Sequence, residues 1–144
     1  MKLFTIGYQT ATRAEVITRL KEAGVAVLID VRAIAASRRP GFSKRLLAAG
    51  LADAGIDYVH LRALGTPAAG RAAARAGRTA EMRSIYTDYL NHDPAAEAGL
   101  AEARAIAGAR PAALLCLEAD AAVCHRRLVA QRLRERAGFD VVDL

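Results

Sequence analysis

The chain has 144 residues, two cysteines and a formal net charge of +6 at pH 7. This length is enough for one compact domain over residues 1–144 and leaves no room for a second domain of ordinary size. No apolar run approaches the roughly 20 residues of a membrane-spanning helix, and the N-terminus lacks a signal-peptide pattern. We therefore expect a cytoplasmic protein with reduced cysteines and no membrane partner.

The basic charge has two competing explanations. Eighteen arginines against three lysines, together with 34 alanines, are typical of a GC-rich genome. The same charge attracts anions in general, including small phosphate-containing ligands and nucleic acid. A small anionic ligand or a nucleic acid is therefore the expected kind of partner, and the charge does not choose between them.

Apolar runs alternate along the chain with segments that carry helix signals. Residues 3–8 predict a first strand, and a helix follows over 12–23, where Thr12 and Glu15 can form a capping box and Gly24 ends the helix. The run 25–31 is typical of a strand buried on both faces, and Ser43 is expected to cap a helix over 43–54. The other predicted elements are a strand over 56–61, helices over 81–91 and 95–107, a strand over 112–117, a helix over 121–137 and a strand over 139–142.

Residues 65–79 are rich in Gly, Ala and Arg and are expected to form a connection without regular structure. The part from Gly70 to Gly77, with its arginines, is either a mobile lid over a site or a surface loop with no role.

Alternation of strands and helices predicts an α/β fold, a three-layer sandwich of the Rossmann-like or flavodoxin-like type with a mainly parallel sheet of about five strands. If the strand order is 3-2-1-4-5, the first and fourth strands are neighbours. Ligands of such sheets bind beyond the carboxyl ends of the strands. The residues expected at that edge are Gly7, Tyr8, Asp30, Arg32, His60, Arg62, Cys116 and Glu118.

Asp30 and Arg32 are two residues apart at the end of the second strand, so they project to the same face of the sheet. They either form a structural ion pair or share the binding of a substrate. The segment from Ser37 to Lys44 is basic, contains Gly41 and leads into a helix. It is either a phosphate cradle, in which Arg38 takes part, or a solvated turn.

Cys124 follows the fourth strand and is expected in the first turns of a helix. The helix dipole, His125 and Arg126 would there favour its thiolate form. The alternative is that Cys124 is an inert core residue, and that His125, aligned with Val129 and Leu133, is a half-buried histidine. Cys116 lies in an apolar run and is expected to be core.

Two other kinds of site are possible in the same region. A metal site could draw on Cys116, Glu118, Cys124, His125 and either His60 or His92, but the spacing lacks a C-x2-C pair, so no metal and no cofactor are expected.

A rhodanese-like or phosphatase-like site is suggested by residues 28–32 and a later strand-end cysteine. However, neither cysteine begins a C-x5-R phosphate loop, because Ala122 and Ala130 occupy the arginine positions.

The order of several short motifs resembles the family called domain of unknown function 488. The motifs are Thr5-Ile6-Gly7, Asp30-Val31-Arg32, Ser37-Arg38, Gly41-Phe42-Ser43-Lys44, Gly55-Ile56 with Tyr58 and Leu61, Leu64-Gly65, Leu115-Cys116-Leu117-Glu118 and Cys124-His125-Arg126. Family members often have His-Ser after Thr-Ile-Gly, where this chain has Tyr8-Gln9, so a role for a histidine there is not transferred. The resemblance implies a compact α/β domain, motif residues at one sheet edge and no established activity.

Two functions are compatible with these residues. In the first, the protein is a small enzyme on an anionic substrate, with Cys124 as nucleophile or acid and His125 as its proton partner. Glu118 or Asp30 would be a second acid–base or orienting group. The residues expected to bind the anion are Arg32, Ser37, Arg38, Lys44 and Arg126, with Gly7 and Tyr8 beside them. In the second, the same cations bind phosphate or nucleic acid in a non-catalytic module, and the cysteine is structural.

Overall fold

A sheet of five parallel strands organises the protein, and a computed structural model describes every residue from 1 to 144. The strands are β1 (Lys2–Gly7), β2 (Val27–Asp30), β3 (Asp57–His60), β4 (Ala112–Cys116) and β5 (Asp140–Asp143). The helices are α1 (Arg13–Glu22), α2 (Lys44–Asp53), α3 (Ala68–Arg75), α4 (Thr79–His92), α5 (Pro94–Ala109) and α6 (Arg126–Ala137). The α/β class predicted from the alternating pattern is confirmed.

Helices cover both faces of the sheet and produce two apolar cores. Residues of α1 and α2, such as Leu20 and Leu47, pack on one face. Residues of α4, α5 and α6, such as Met82, Leu100 and Leu133, pack on the other. The chain therefore forms the expected three-layer sandwich. None of the helices is both long enough and apolar enough to cross a membrane.

The strand order is β3-β2-β4-β1-β5, which differs from the order 3-2-1-4-5 considered for the sequence. The predicted contact of the first and fourth strands is present, but β4 also pairs with β2 and separates it from β1. All five residues of β4 are buried, as a central strand requires, whereas two of the four residues of β5 are exposed at the edge. This order brings the ends of β1, β4 and β2 together in a row.

Two predicted segments have different local structures. The expected connection over 65–79 contains α3, whose alanines favour helix and whose Gly70 and Ala73 are buried. The segment from Gly70 to Gly77 therefore lies mostly in a helix, and its role as a lid stays a prediction. The expected helix over 121–137 is also interrupted, because a short 3-10 helix (Ala121–Val123) and an extended Cys124 precede α6.

The predicted start of α1 is confirmed, and so is its capping box. The amide of Glu15 donates to Thr12 Oγ1 at 3.1 Å, and the amide of Thr12 donates to Glu15 Oε1 at 3.2 Å. These bonds to Thr12 lower the pKa of Glu15. The carboxylate's share of the stability is therefore present at neutral pH and is lost in acid, as the pH falls through the lowered pKa.

Replacing Thr12 by Ala removes the hydroxyl that caps α1. We expect the free energy of unfolding to fall by about 1 kcal/mol, the usual cost of losing such a cap. Urea denaturation followed by circular dichroism measures this change. Thr10→Ala, in the exposed turn before the cap, is the control and should leave the midpoint unchanged. Equal midpoints for the two variants would contradict the prediction.

Candidate functional site

The end of β1 lies directly against the loop that follows β4. The amides of Tyr8 and Gln9 donate to the Leu117 carbonyl oxygen at 3.1 and 2.8 Å. A Cβ atom at Gly7 would lie 1.7 Å from the Glu118 carbonyl oxygen, so only glycine allows this approach. Gly7 therefore shapes the site by leaving room for the backbone of the loop.

Asp30 and Arg32 form a buried, two-point ion pair at the end of β2. Arg32 Nε donates to Asp30 Oδ1 at 2.9 Å and Nη2 donates to Oδ2 at 2.7 Å. Tyr58 Oη donates to the same carboxylate at 2.5 Å. Burial and the bond to Asp30 raise the pKa of Tyr58. Burial alone would lower the pKa of Arg32, but Asp30 outweighs it and raises that pKa. Of the two interpretations of Asp30 and Arg32, the structure shows the structural ion pair.

The other donors of Arg32 hold the loop that follows β2. Nη1 donates to the Phe42 carbonyl oxygen at 2.8 Å and to Tyr8 Oη at 3.1 Å. The Tyr8 ring stacks on Phe42, with 4.3 Å between the ring centroids. Arg32 thus positions the loop and the end of β1, and its role as an anion ligand stays a prediction.

The basic segment from Ser37 to Lys44 is a loop closed by its own hydrogen bonds. Ser43 Oγ accepts from the Ser37 amide at 3.1 Å and donates to the Ser37 carbonyl oxygen at 3.2 Å. Ser43 occupies the N-cap position of α2, but its hydroxyl is used in the loop and makes no cap bond. Arg38 and Lys44 are exposed and make no ion pair, so they face solvent at this end of the sheet.

Cys116, Cys124 and His125 meet on the other side of the sheet. His125 Nδ1 lies 3.4 Å from Cys116 Sγ and 3.9 Å from Cys124 Sγ. His125 Nε2 lies 2.7 Å from the Val31 carbonyl oxygen. Because a carbonyl only accepts, Nε2 carries the hydrogen and Nδ1 is the ring nitrogen with a free lone pair. Cys116 Sγ also lies 3.9 Å from Nε2, so this sulfur sits beside the face of the ring. The thiol cluster, Cys116 with Cys124 and His125, thus brings two sulfur atoms and a ring nitrogen within 4.8 Å of one another.

The thiol cluster is buried, and this overturns one expectation. Cys116, Cys124 and His125 are 5%, 3% and 7% exposed. Burial raises the pKa of the Cys124 thiol well above its usual value, and His125 opposes this only partly. Burial would lower the pKa of His125, but the contacts with Cys124, the Val31 carbonyl oxygen and Glu118 together outweigh it and raise that pKa. The predicted place of Cys124 in the first turns of a helix is wrong, because Cys124 is extended, lies before α6 and packs into the core. Its reactivity as a thiolate stays a prediction.

Glu118 and Arg126 complete the surroundings of the thiol cluster. Glu118 Oε2 lies 3.6 Å from Cys116 Sγ, and this residue is half-buried. Arg126 is fully buried and donates through Nη1 to the carbonyl oxygen of Glu118 and through Nη2 to that of Ala119, the latter at 3.3 Å. It makes no ion pair, and its Nε has no hydrogen-bond partner. Arg126 therefore fastens the loop that carries Glu118, and its binding of an anion stays a prediction.

The predicted residues form two groups rather than one. Asp30, Arg32 and Tyr8 belong to a network on the side of α1 and α2, whereas the thiol cluster lies in the core on the side of α4 to α6. The backbone after β2 connects them, since His125 contacts the Val31 carbonyl oxygen and His60 Nε2 lies 2.7 Å from that of Arg32. A cleft of about 840 Å³ between the 119–122 loop and α6 does not include the thiols.

Sequence reasoning missed two members of the site. Cys116 was expected to be plain core, although its place two residues before Glu118 puts both side chains on one face of the strand end. Tyr86 of α4 packs edge-on against the His125 ring, with 5.2 Å between centroids, and is fully buried. No local signal marks Tyr86, because its contact comes from the packing of α4.

Comparison with known families identifies the family of the chain. A family model described as "Domain of unknown function DUF488" matches residues 12–133 of the 144. The matched segment contains the Asp30–Arg32 pair, the basic loop and the whole thiol cluster, and it omits Gly7 and Tyr8. No curated protein and no solved structure shows a significant match. Because the model covers most of the chain, the protein belongs to the family of domain of unknown function DUF488.

Proposed function

We propose that the protein is a small enzyme that acts on an anionic substrate at the thiol cluster. The observation that carries this proposal is the convergence of two sulfur atoms and one imidazole nitrogen at the carboxyl end of β4. Core packing alone does not require three reactive groups to face one point, and active sites of parallel sheets lie at this edge. The neighbouring Glu118 carboxylate adds a group that can carry protons.

The roles follow from burial and contacts. Cys116, Cys124 and His125 form the reaction centre. Glu118 is half-buried, so it connects that centre with solvent and acts as the general acid or base. The exposed cations Arg38 and Lys44 attract the anion. Asp30, Arg32 and Arg126 are positioning residues in this proposal, since their charged groups are bonded within the protein.

Turnover of a defined set of anions tests the proposal. The protein is incubated with nucleoside monophosphates, nucleoside triphosphates and sugar phosphates, and each mixture is followed by ³¹P NMR and mass spectrometry. We expect conversion of at least one compound, and a loss of roughly 100-fold or more in rate for Glu118→Gln. Glu135→Gln, on the exposed face of α6, is the matched control and should keep the rate. An unchanged rate for Glu118→Gln, or no conversion of any compound, would contradict the proposal.

The second candidate is a non-catalytic module that binds the same anions. It is favoured by the deep burial of both thiols and by the internal use of the Arg32 donors. Binding without conversion in the same panel, weakened by Arg38→Ala and unaffected by Cys124→Ser, is the result that this candidate predicts.

A further inference from the structure

We propose that Cys116 Sγ, Cys124 Sγ and His125 Nδ1 are the three protein ligands of a Zn²⁺ ion. The three ligand atoms lie within 4.8 Å of one another and come from the end of β4, the extended residue before α6 and the α6 N-cap. Two thiolates and one imidazole form a ligand set that binds zinc in preference to the hard cations magnesium and calcium. The spacing in the sequence hid this set, because the fold rather than a C-x2-C turn brings the cysteines together.

The separations between the ligand atoms fit a tetrahedral ion. Zinc–sulfur and zinc–nitrogen bonds of about 2.3 and 2.05 Å at a tetrahedral angle put a sulfur and a nitrogen ligand about 3.6 Å apart. The observed distances from His125 Nδ1 are 3.4 Å to Cys116 Sγ and 3.9 Å to Cys124 Sγ. Both sulfur–nitrogen distances are therefore within about 0.3 Å of the metal-bound value. A rotation of the Cys116 side chain would bring its Sγ, which also lies 3.9 Å from Nε2, from the ring face towards the Nδ1 lone pair.

The imidazole also has the tautomer of a metal ligand. A zinc-binding histidine usually donates its second N–H to a carbonyl or carboxylate, which holds the ring and selects the tautomer. His125 Nε2 makes this bond to the Val31 carbonyl oxygen at 2.7 Å, so the Nδ1 lone pair is free to bind an ion. The Tyr86 ring packs against the imidazole and limits its rotation.

Glu118 determines the kind of metal site. Three protein ligands leave a fourth position, and in catalytic zinc sites this position holds water or substrate. The Glu118 carboxylate, 3.6 Å from Cys116 Sγ, lies beside the cluster and would accept a proton from a water molecule at that position. This catalytic part of the inference rests on the proposed function, whereas the binding of the ion does not.

Titration of the full-length protein with cobalt and zinc tests the inference. After dialysis against a chelator, Co²⁺ should bind one ion per chain with a thiolate-to-cobalt charge-transfer band and intense tetrahedral visible bands. Zn²⁺ should displace it and raise the melting temperature, since an ion that binds the folded state stabilises it. Absence of both the charge-transfer band and the zinc-dependent shift in melting temperature would overturn the inference.

Variants then locate the ion. Cys116→Ser, Cys124→Ser and His125→Asn should each weaken zinc binding by about 100-fold or more in competition with a chromophoric chelator. His92→Asn, at the exposed end of α4, is the control and should bind as the unmodified protein does. Unaltered affinity in variants that circular dichroism shows to be folded would overturn the assignment. If a variant does not fold, the cobalt spectrum of the unmodified protein still decides whether thiolates bind the ion.

Zinc binding and turnover, measured together, distinguish the zinc site from the proposed enzyme activity. Zinc bound without turnover of any anion would keep the site and reject the enzyme. Turnover that persists in excess chelator, in protein without bound metal, would keep the enzyme and reject a catalytic role for the metal. Glu118→Gln should retain zinc and lose turnover, and loss of zinc in this variant would contradict a role for Glu118 beside the open position.

Discussion

Replacing Arg32 by Met is expected to lower the free energy of unfolding by about 3–5 kcal/mol. The change removes the cation but keeps a side chain of similar length, so the Asp30 carboxylate stays buried without its counterion. Breaking a buried ion pair from one side costs this much because the remaining charge is uncompensated. The loop after β2 also loses its bond to Arg32 Nη1. Urea denaturation at neutral pH, followed by circular dichroism, measures the loss.

Two further variants test whether burial causes this loss of stability. Arg136→Met removes an exposed pair with Glu97, at 2.8 Å, and should cost below about 1 kcal/mol. The double variant Asp30→Asn with Arg32→Met should recover part of the loss, since no charge is left buried. A cost for Arg32→Met equal to that of Arg136→Met would show that Asp30 does not depend on its partner.

Gly7→Ala is the second change with a large expected effect. The added Cβ would lie 1.7 Å from the Glu118 carbonyl oxygen and 2.5 Å from its carbonyl carbon. These are backbone atoms, so no side-chain rotation relieves the overlap, and β1 must separate from the loop. We expect a loss of about 3 kcal/mol, at the upper end of ordinary overpacking. Thermal denaturation, with the unmodified protein alongside, measures it.

The matched control for Gly7 is Gly108→Ala in α5. No atom lies within 4 Å of a Cβ at Gly108, and alanine is the better helix former, so this variant should be as stable as the parent or slightly more stable. In the Gly7 variant the displaced loop should also move Glu118 away from Cys116. A Gly7→Ala melting temperature equal to that of Gly108→Ala would mean that the loop does not lie on β1 as described.

Local features of the structure were readable from the sequence. The capping box of Thr12 and Glu15 is confirmed, because its bonds join residues three positions apart. The strands were placed near their observed bounds, since a buried strand needs a continuous apolar run. The α3 helix was missed, because a segment of Gly, Ala and Arg has no clear apolar period until Gly70 packs against Thr66.

The α/β class, the alternation of strands and helices and the end of each strand to within one residue follow from the sequence alone. These follow from patterns of neighbouring residues, which set secondary structure and put Asp30, Cys116 and Glu118 at one sheet edge. The place of β4 between β1 and β2, and the meeting of Cys116 with Cys124 and His125, come from the tertiary structure. Strand pairing and the packing of α6 depend on contacts between distant parts of the chain, and no local pattern encodes which of the compatible contacts forms.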